Sequence, residues 1–160
     1  MKQMNFAKLT KRILDFMFYA GIVVCVTLPF SMKFLGEYFP VYDLFYLPMV
    51  LLFFIAGIFG VLIILELRHM FRTVLNEDCF VKENVVSLRR MGTYSFCIAV
   101  IITIRFVMVI DPANLGYAIV VSPASLVIIL VFIIAGLFSK VLSSVFDQAV
   151  TYKLENDLTI

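Results

Sequence analysis

Residues 47–66, LPMVLLFFIAGIFGVLIILE, form an apolar run that carries no charged side chain before Glu66 at its end. The hydrocarbon core of a bilayer is about 30 Å thick, and roughly 20 residues of α-helix cross it. Three more stretches have comparable length and composition, at residues 13–32, 93–110 and 117–139. The sequence therefore predicts an all-α integral membrane four-helix bundle, built as two helical hairpins.

The composition of the whole chain agrees with this prediction. Of its 160 residues, 63% are hydrophobic and 15% are charged, and the mean hydropathy of +1.07 lies far above that of soluble globular domains. The formal net charge of +2 is too small to favour direct nucleic-acid binding. Cys25, Cys79 and Cys97 share no C-x-x-C spacing, so we expect no zinc site and no disulfide framework.

The basic residues predict the orientation of the chain in the membrane. Most of the 13 Lys and Arg residues lie in the N-terminal segment, the middle loop and the C-terminal tail, whereas Lys33 lies on the other side and Arg105 within a span. Cytosolic loops of membrane proteins carry an excess of Lys and Arg. We therefore expect both termini and the middle loop to be cytosolic.

The apolar periodicity of the second and fourth spans continues past their inner ends, which predicts cytosolic helical extensions at residues 67–92 and 140–160 of a single membrane domain, 1–160. We expect the last helix to end near Leu154, with Asn156 as its terminating residue. Leu158 and Ile160 would then fold back against the second helix and the Val85 and Leu88 face. The acids of the tail, Glu155 and Asp157, would approach nearby arginines, for which the candidates are Arg68, Arg72, Arg89 and Arg90.

The middle segment NEDCFVKENVVSLRRMG, residues 76–92, predicts a further short helix. Its helical pattern begins near Val81, with Val85 and Leu88 on one face and with Arg89 and Arg90 near its end, where basic side chains complement the helix dipole. We expect this amphipathic helix either to lie on the membrane surface, where it would meet anionic lipid, or to pack across the inner face of the bundle.

Two segments carry a resemblance to a known family. CFVKENVVSLRRMG in the middle loop and VFDQAVTYKLENDLTI at the end resemble the small bacterial four-span membrane proteins of the family domain of unknown function 2975. The span layout is similar over the full length. The positions that match, together with Arg90 in the same basic run, are the candidate interaction residues: Phe80, Glu83, Asn84, Leu88, Arg89, Arg90, Glu155, Asn156, Asp157, Leu158, Thr159 and Ile160.

The resemblance implies a location and a partner. It implies a bacterial cell membrane, and members of the family often occur beside a small Cro/C1-type helix-turn-helix protein, which implies a regulatory pairing. It supplies no catalytic residues. One departure from the family pattern is Val81, since a Ser or Thr is usual there and its hydroxyl could cap the helix.

The sequence offers no catalytic, cofactor or metal constellation that we recognise. His69 is the single histidine, and its nearest acid in sequence is Glu66, so neither a metal site nor a His-based dyad is expected. Gly-rich phosphate loops and hydrolase or metalloprotease motifs do not occur. We therefore expect a protein that is not an enzyme.

Arg105 is the candidate intramembrane polar residue. A charged side chain inside a span is costly and is by default a functional hypothesis. The competing interpretation is snorkelling, in which the guanidinium rises to the outer interface and pairs with Glu37, Asp43 or Asp111.

Pairs of small residues predict where helices approach closely. Ala56 and Gly60 form one such pair in the second span, and Ala135 and Ser139 form another in the fourth. These faces could meet within one bundle or between the protomers of a homo-oligomer.

Two functions follow as hypotheses. The first is a membrane-embedded regulatory protein, surrounded by the lipid bilayer, whose cytosolic loop and tail bind a partner such as a small helix-turn-helix regulator. The second is a small transporter, channel or immunity-type membrane protein, which would need a polar path through the spans.

Overall fold

The computed structural model describes residues 2–38, 46–75, 81–109 and 115–157, which contain four long helices. They are α1 (Lys2–Tyr38), α2 (Tyr46–Leu75), α3 (Lys82–Val109) and α4 (Leu115–Asp157). Each contains a stretch long and apolar enough to cross a membrane: Leu9–Phe34, Tyr46–Thr73, Lys82–Met108 and Pro123–Asn156. The predicted all-α four-helix membrane bundle is confirmed, and the chain is a multi-pass membrane protein.

Successive helices run in opposite directions, so the start of α1, the end of α2, the start of α3 and the end of α4 lie together. We call this region, residues 2–15, 66–75, 81–92 and 139–157, the basic end. α4 has 43 residues and is therefore about 64 Å long, roughly twice the thickness of a bilayer's hydrocarbon core. The helices thus extend well beyond the length that a membrane span requires.

Each helix packs mainly against its neighbours along the chain. α1 packs on α2, α2 on α3 and α3 on α4, and the α3–α4 interface is the most extensive. Among the described residues, other pairs of helices make at most marginal contact. The helices therefore form a row in which α2 and α3 are internal. Most large apolar side chains outside these interfaces are exposed, as expected for a surface that faces lipid.

The backbones of α3 and α4 touch at two glycines. A Cβ atom built on Gly92 would lie 3.0 Å from the carbonyl oxygen of Gly136. One built on Gly136 would lie 3.1 Å from the ring of Phe96. Small residues permit this close approach, which is how helices commonly associate in membranes.

The small-residue pairs predicted from the sequence are offset from these contacts. At Gly60 an added Cβ would meet no described neighbour within 4 Å, whereas at Gly57 it would lie 2.7 Å from the Sγ of Cys25. In α4, Ala135 is exposed, but Gly136 and Ser139 are buried. A four-residue spacing alone does not indicate which helix face meets a neighbour within the chain, and contact of these pairs between protomers stays a prediction.

The middle segment is not a separate surface helix. Helix begins beside Val81, as predicted, but it continues without interruption from Lys82 to Val109. The Oγ of Ser143 on α4 donates a hydrogen bond of 3.0 Å to the carbonyl oxygen of Val85, which is buried. Contact with α4 therefore keeps residues 82–92 in line with the third span rather than flat on the membrane.

α4 runs farther than predicted. Its last residue is Asp157, so Asn156 lies within the helix and does not terminate it. Val150 is buried, whereas every described side chain from Thr151 to Asn156 is exposed, and these last turns project beyond the packed helices. The predicted fold-back of the tail concerns residues 158–160, which lie outside the described residues.

Candidate functional site

Glu66 connects α2 to α3 at the basic end. Its Oε2 accepts a hydrogen bond of 2.7 Å from the Oγ of Ser87, and its Oε1 accepts one of 3.3 Å from the Nη1 of Arg90. Ser87 is buried and the Glu66 side chain is only 14% exposed, whereas that of Arg90 is 60% exposed. The two donors stabilise a carboxylate that would be costly to withdraw from water without partners.

An open cleft of about 440 Å³ lies beside this junction, between α2 and α3. It is large enough for a small molecule or a lipid headgroup. Side chains of both charges line it together with two apolar residues and a serine, and the full lining is Leu65, Glu66, His69, Lys82, Glu83, Val86, Ser87 and Arg90.

The cleft presents charged and hydrogen-bonding side chains to solvent. His69 is exposed, and the hydroxyl of Ser87 donates its hydrogen bond to the carboxylate of Glu66. In the segments that the structure describes, no group of three His, Cys, Asp or Glu residues is placed to hold a metal ion. Charged and hydrogen-bonding groups at an open cleft can recognise a small polar or zwitterionic group.

A second junction at the basic end joins α1 to α2. Arg68 forms an ion pair with Asp15, and its guanidinium carbon lies 4.6 Å from the centre of the Phe18 ring. The adjacent cavity, which Lys11 and Arg72 help to line, has a volume of only about 20 Å³. That volume is close to the space of a single water, so this junction is closed.

The candidate residues of the middle segment divide into two groups. Asn84 is fully buried, and its Oδ1 accepts a hydrogen bond of 2.8 Å from the Oγ1 of Thr73 on α2; Leu88 is also buried. Asn84 and Leu88 therefore serve the packing of α3. Glu83, Arg89 and Arg90 are exposed, and of these Glu83 and Arg90 line the cleft.

Only some of the candidate residues of the tail are among the described residues. Glu155 and Asn156 are exposed on the projecting end of α4, and Asp157 is its last residue. Two arginines predicted to attract the tail are paired elsewhere, since Arg68 binds Asp15 and Arg90 binds Glu66. The remaining candidates lie outside the described residues: Phe80, Leu158, Thr159 and Ile160.

Arg105 is buried within the bundle. Its Nη1 donates a hydrogen bond of 3.1 Å to the Oγ of Ser125 on α4, and its guanidinium carbon lies 4.9 Å from the centre of the Phe53 ring on α2. The guanidinium thus contacts residues of α2 and α4, and its pairing with an acid at the outer interface stays a prediction. Asp43 and Asp111, two of the partners predicted for snorkelling, lie outside the described residues.

Sequence reasoning missed the polar contacts between helices. From the sequence, Glu66 was considered only as the end of an apolar run and as the acid nearest His69, and neither Ser87 nor Ser143 was singled out. A signal was present on α3, where the small residues Gly92, Ser95 and Ala99 recur at helical spacing and are all buried. Such a stripe marks a face that packs against another helix.

Comparison with known proteins gives one match. The family model described as protein of unknown function (DUF2975) matches residues 31–160, which include the end of α1 and all the described residues of α2, α3 and α4. Both the cleft and the projecting end of α4 fall within the matched region. No curated protein and no solved structure matches the chain. The resemblance noted in the sequence is thereby confirmed, and the chain belongs to the DUF2975 family of proteins of unknown function.

Proposed function

We propose that this protein is a membrane-embedded regulatory binding protein that engages a protein partner at its basic end. We place it in a bacterial cell membrane with both termini and the basic end in the cytosol. The distribution of Lys and Arg supports this orientation. The family membership supports the bacterial setting through what the resemblance implies.

The observation that carries the proposal is the projecting end of α4. Its side chains from Thr151 to Asn156 are exposed, including Tyr152 at 69% and Leu154 at 49%. A helix beyond the membrane that presents large apolar side chains to water gains free energy when a partner covers them. Tyr152 and Leu154 are two positions apart and lie on different faces of the helix, so the proposed partner must enclose the tip of α4 rather than cover one face.

The partner we propose is a small helix-turn-helix regulator, as the family resemblance implies. Such regulators carry basic surfaces that bind DNA phosphates. Glu155 and Asp157 place acidic residues at the tip of α4, where they could attract such a surface. Binding there would compete with DNA and hold the regulator at the membrane.

The test uses the full chain in lipid nanodiscs and the helix-turn-helix protein encoded in the neighbouring reading frame. We expect direct binding, weakened roughly tenfold when Tyr152→Ala and Leu154→Ala are combined, because two apolar contacts are removed. The matched control combines Leu130→Ala with Phe138→Ala, which truncates two exposed apolar residues of α4 within the span. Absence of such a regulator, or equal binding by both double variants, would contradict the proposal.

The alternative of a small transporter, channel or immunity-type protein rests on Arg105 and Ser125. Both are buried, and they lie against each other rather than along a described water-filled path. Solute uptake or ion current in proteoliposomes, lost in Arg105→Gln, would favour this alternative over the regulatory one. Homo-oligomer formation stays a prediction, which the mass of the purified complex in detergent tests.

A further inference from the structure

We propose that the groove between α2 and α3 binds one phosphatidylethanolamine-type phospholipid. Its phosphate and ammonium would occupy the charged cleft, and an acyl chain would lie in the apolar groove below it. The proposal is independent of the protein partner, since it concerns a different face of the basic end.

The depth of the cleft matches the headgroup layer. In α2 the apolar run ends at Leu65 and Glu66 is the first charged residue; in α3 the apolar run begins after Arg90. Glu66 and Arg90 are joined by their 3.3 Å ion pair, so both helices pass from hydrocarbon to headgroups at the same level. The cleft beside this pair therefore opens where phosphates lie.

A separate apolar groove lies along the same α2–α3 seam, nearer the middle of the span. It has a volume of about 440 Å³ and no polar surface, and it is lined by Ile55, Phe59, Thr93, Phe96, Cys97, Val100 and Ile101. Along α3, the cleft residues Glu83, Val86 and Arg90 and the groove residues Thr93, Cys97 and Val100 recur every three or four positions, which places them on one face.

The length of this face suits one lipid. The helical rise from Glu83 to Val100 is about 26 Å, and one leaflet with its headgroups is roughly 22 Å thick. The same seam between α2 and α3 thus offers a polar site at headgroup depth and an apolar site at chain depth. A molecule that fills both must be amphipathic, with one charged end and one long hydrocarbon part.

Two cations can hold the phosphate. Arg90 uses one nitrogen for Glu66, and the rest of its guanidinium fork is largely exposed at the cleft. Lys82 of α3 also lines the cleft and brings an ammonium group to it. A phosphate at this level would lie near a guanidinium fork and an ammonium group, both of which favour phosphate oxygens.

The acidic residues of the cleft select the rest of the headgroup. Glu66 and Glu83 both line the cleft, and each lies at least one helical turn farther from the middle of the span than the apolar groove does. The headgroup of phosphatidylglycerol ends in neutral hydroxyls, whereas the primary ammonium of phosphatidylethanolamine would gain charge-assisted hydrogen bonds to these carboxylates. The charge pattern therefore favours phosphatidylethanolamine over the anionic phosphatidylglycerol.

The seam between α1 and α2 provides a contrast. It has an apolar groove of about 270 Å³, lined in part by Ile22, Cys25 and Phe54. Its polar end is closed by the Arg68 ion pair with Asp15, which leaves about 20 Å³. That seam can contact acyl chains but has no room for a headgroup.

The test is native mass spectrometry of the full chain in a delipidating detergent, titrated with phosphatidylethanolamine or phosphatidylglycerol of identical chains. We expect one retained phosphatidylethanolamine per chain and a preference over phosphatidylglycerol of about tenfold, the effect of one charge-assisted hydrogen bond. Glu83→Gln should remove this preference, and Val100→Trp, which fills the apolar groove, should weaken retention of both lipids. Lys11→Gln, a charge removal at the closed seam, is the control and should change neither.

Three results would overturn the proposal. One is equal retention of the two lipids by the unaltered protein, and another is an unchanged preference in Glu83→Gln. The third is competition by soluble glycerophosphoethanolamine at the same concentrations as the lipid, because the ligand would then need no acyl chain. Glu83 is exposed, so its substitution should leave the fold intact, and an unchanged melting temperature checks this.

Discussion

Gly92 and Gly136 hold α3 and α4 at backbone contact, since a Cβ atom on Gly92 would lie 3.0 Å from the carbonyl oxygen of Gly136. We expect Gly92→Ala and Gly136→Ala each to destabilise the protein by about 1–3 kcal/mol, because overpacking forces the helices apart. Unfolding by denaturant in mild detergent measures this. Gly60→Ala is the control; no described neighbour lies within 4 Å of its added Cβ, so it should be neutral or slightly stabilising.

Glu66 and Ser87 should be energetically coupled. Ser87 is buried, and Glu66→Ala removes the acceptor of its hydroxyl, which costs about 1–3 kcal/mol for an unsatisfied buried group. Ser87→Ala should then cost little more in the Glu66→Ala background. A double-mutant cycle on the free energy of unfolding measures the coupling. Strictly additive effects would show that the hydrogen bond contributes nothing.

Val81 stands directly before the first residue of α3, and its carbonyl oxygen accepts a hydrogen bond of 3.1 Å from the backbone nitrogen of Asn84. A hydroxyl at this position can accept from one of the free N–H groups of the first turn. We expect Val81→Thr to stabilise the protein by about 1 kcal/mol. Val86→Thr, an exposed position inside the helix, should give no such gain. A lower melting temperature in Val81→Thr would refute the capping argument.

Arg105→Lys separates the two interpretations of this residue, because snorkelling predicts no effect of the substitution on stability. The guanidinium contacts both Ser125 and the face of Phe53, and Lys lacks the planar fork that makes both contacts. We expect a loss of about 1–2 kcal/mol in unfolding free energy, since one charge-assisted hydrogen bond is weakened. Arg89→Lys, at an exposed site, is the matched control and should leave stability unchanged. Equal stabilities of the two variants would favour the snorkelling interpretation of Arg105.

The proposed orientation can be checked with reporters. An enzyme active only in the cytosol should give signal when fused after Ile160 and none when inserted after Glu37, because α4 ends in the basic end, whereas Glu37 lies at the opposite end of α1. Reporter activity after Glu37 together with no activity after Ile160 would show that the topology is the reverse of the proposed one. The basic end would then face the outside, and the proposed cytosolic partner would be excluded.

The fold could be predicted because each membrane span is indicated by its own stretch of sequence. The run at 47–66 needs no tertiary information, since its length and lack of charge indicate a span, and the same holds for the other three. The site is different, because it depends on which face each helix turns to its neighbour. Asn84 and Glu83 are adjacent in sequence, yet one is fully buried against α2 and the other lines an open cleft.

Helix ends were predicted less well than helix existence. Arg89 and Arg90 were interpreted as the basic last turn of a surface helix, but α3 continues through them because contacts such as Ser143 with Val85 hold it against α4. Charged residues interrupt an apolar pattern without interrupting a helix when they lie on its exposed face. The local sequence does not carry that information, which comes from the neighbouring helix.

The contacts between α3 and α4 restrict how these two helices can move relative to each other. Gly92 with Gly136, and Val85 with Ser143, fasten the two helices at two levels, so a tilt of α3 carries α4 with it as a rigid arm. Beyond Ser143 the arm reaches about 21 Å to Asp157, and a tilt of roughly 10° would displace its tip by about 4 Å. A small change in the angle between α2 and α3 would thus produce a larger displacement of the exposed tip of α4.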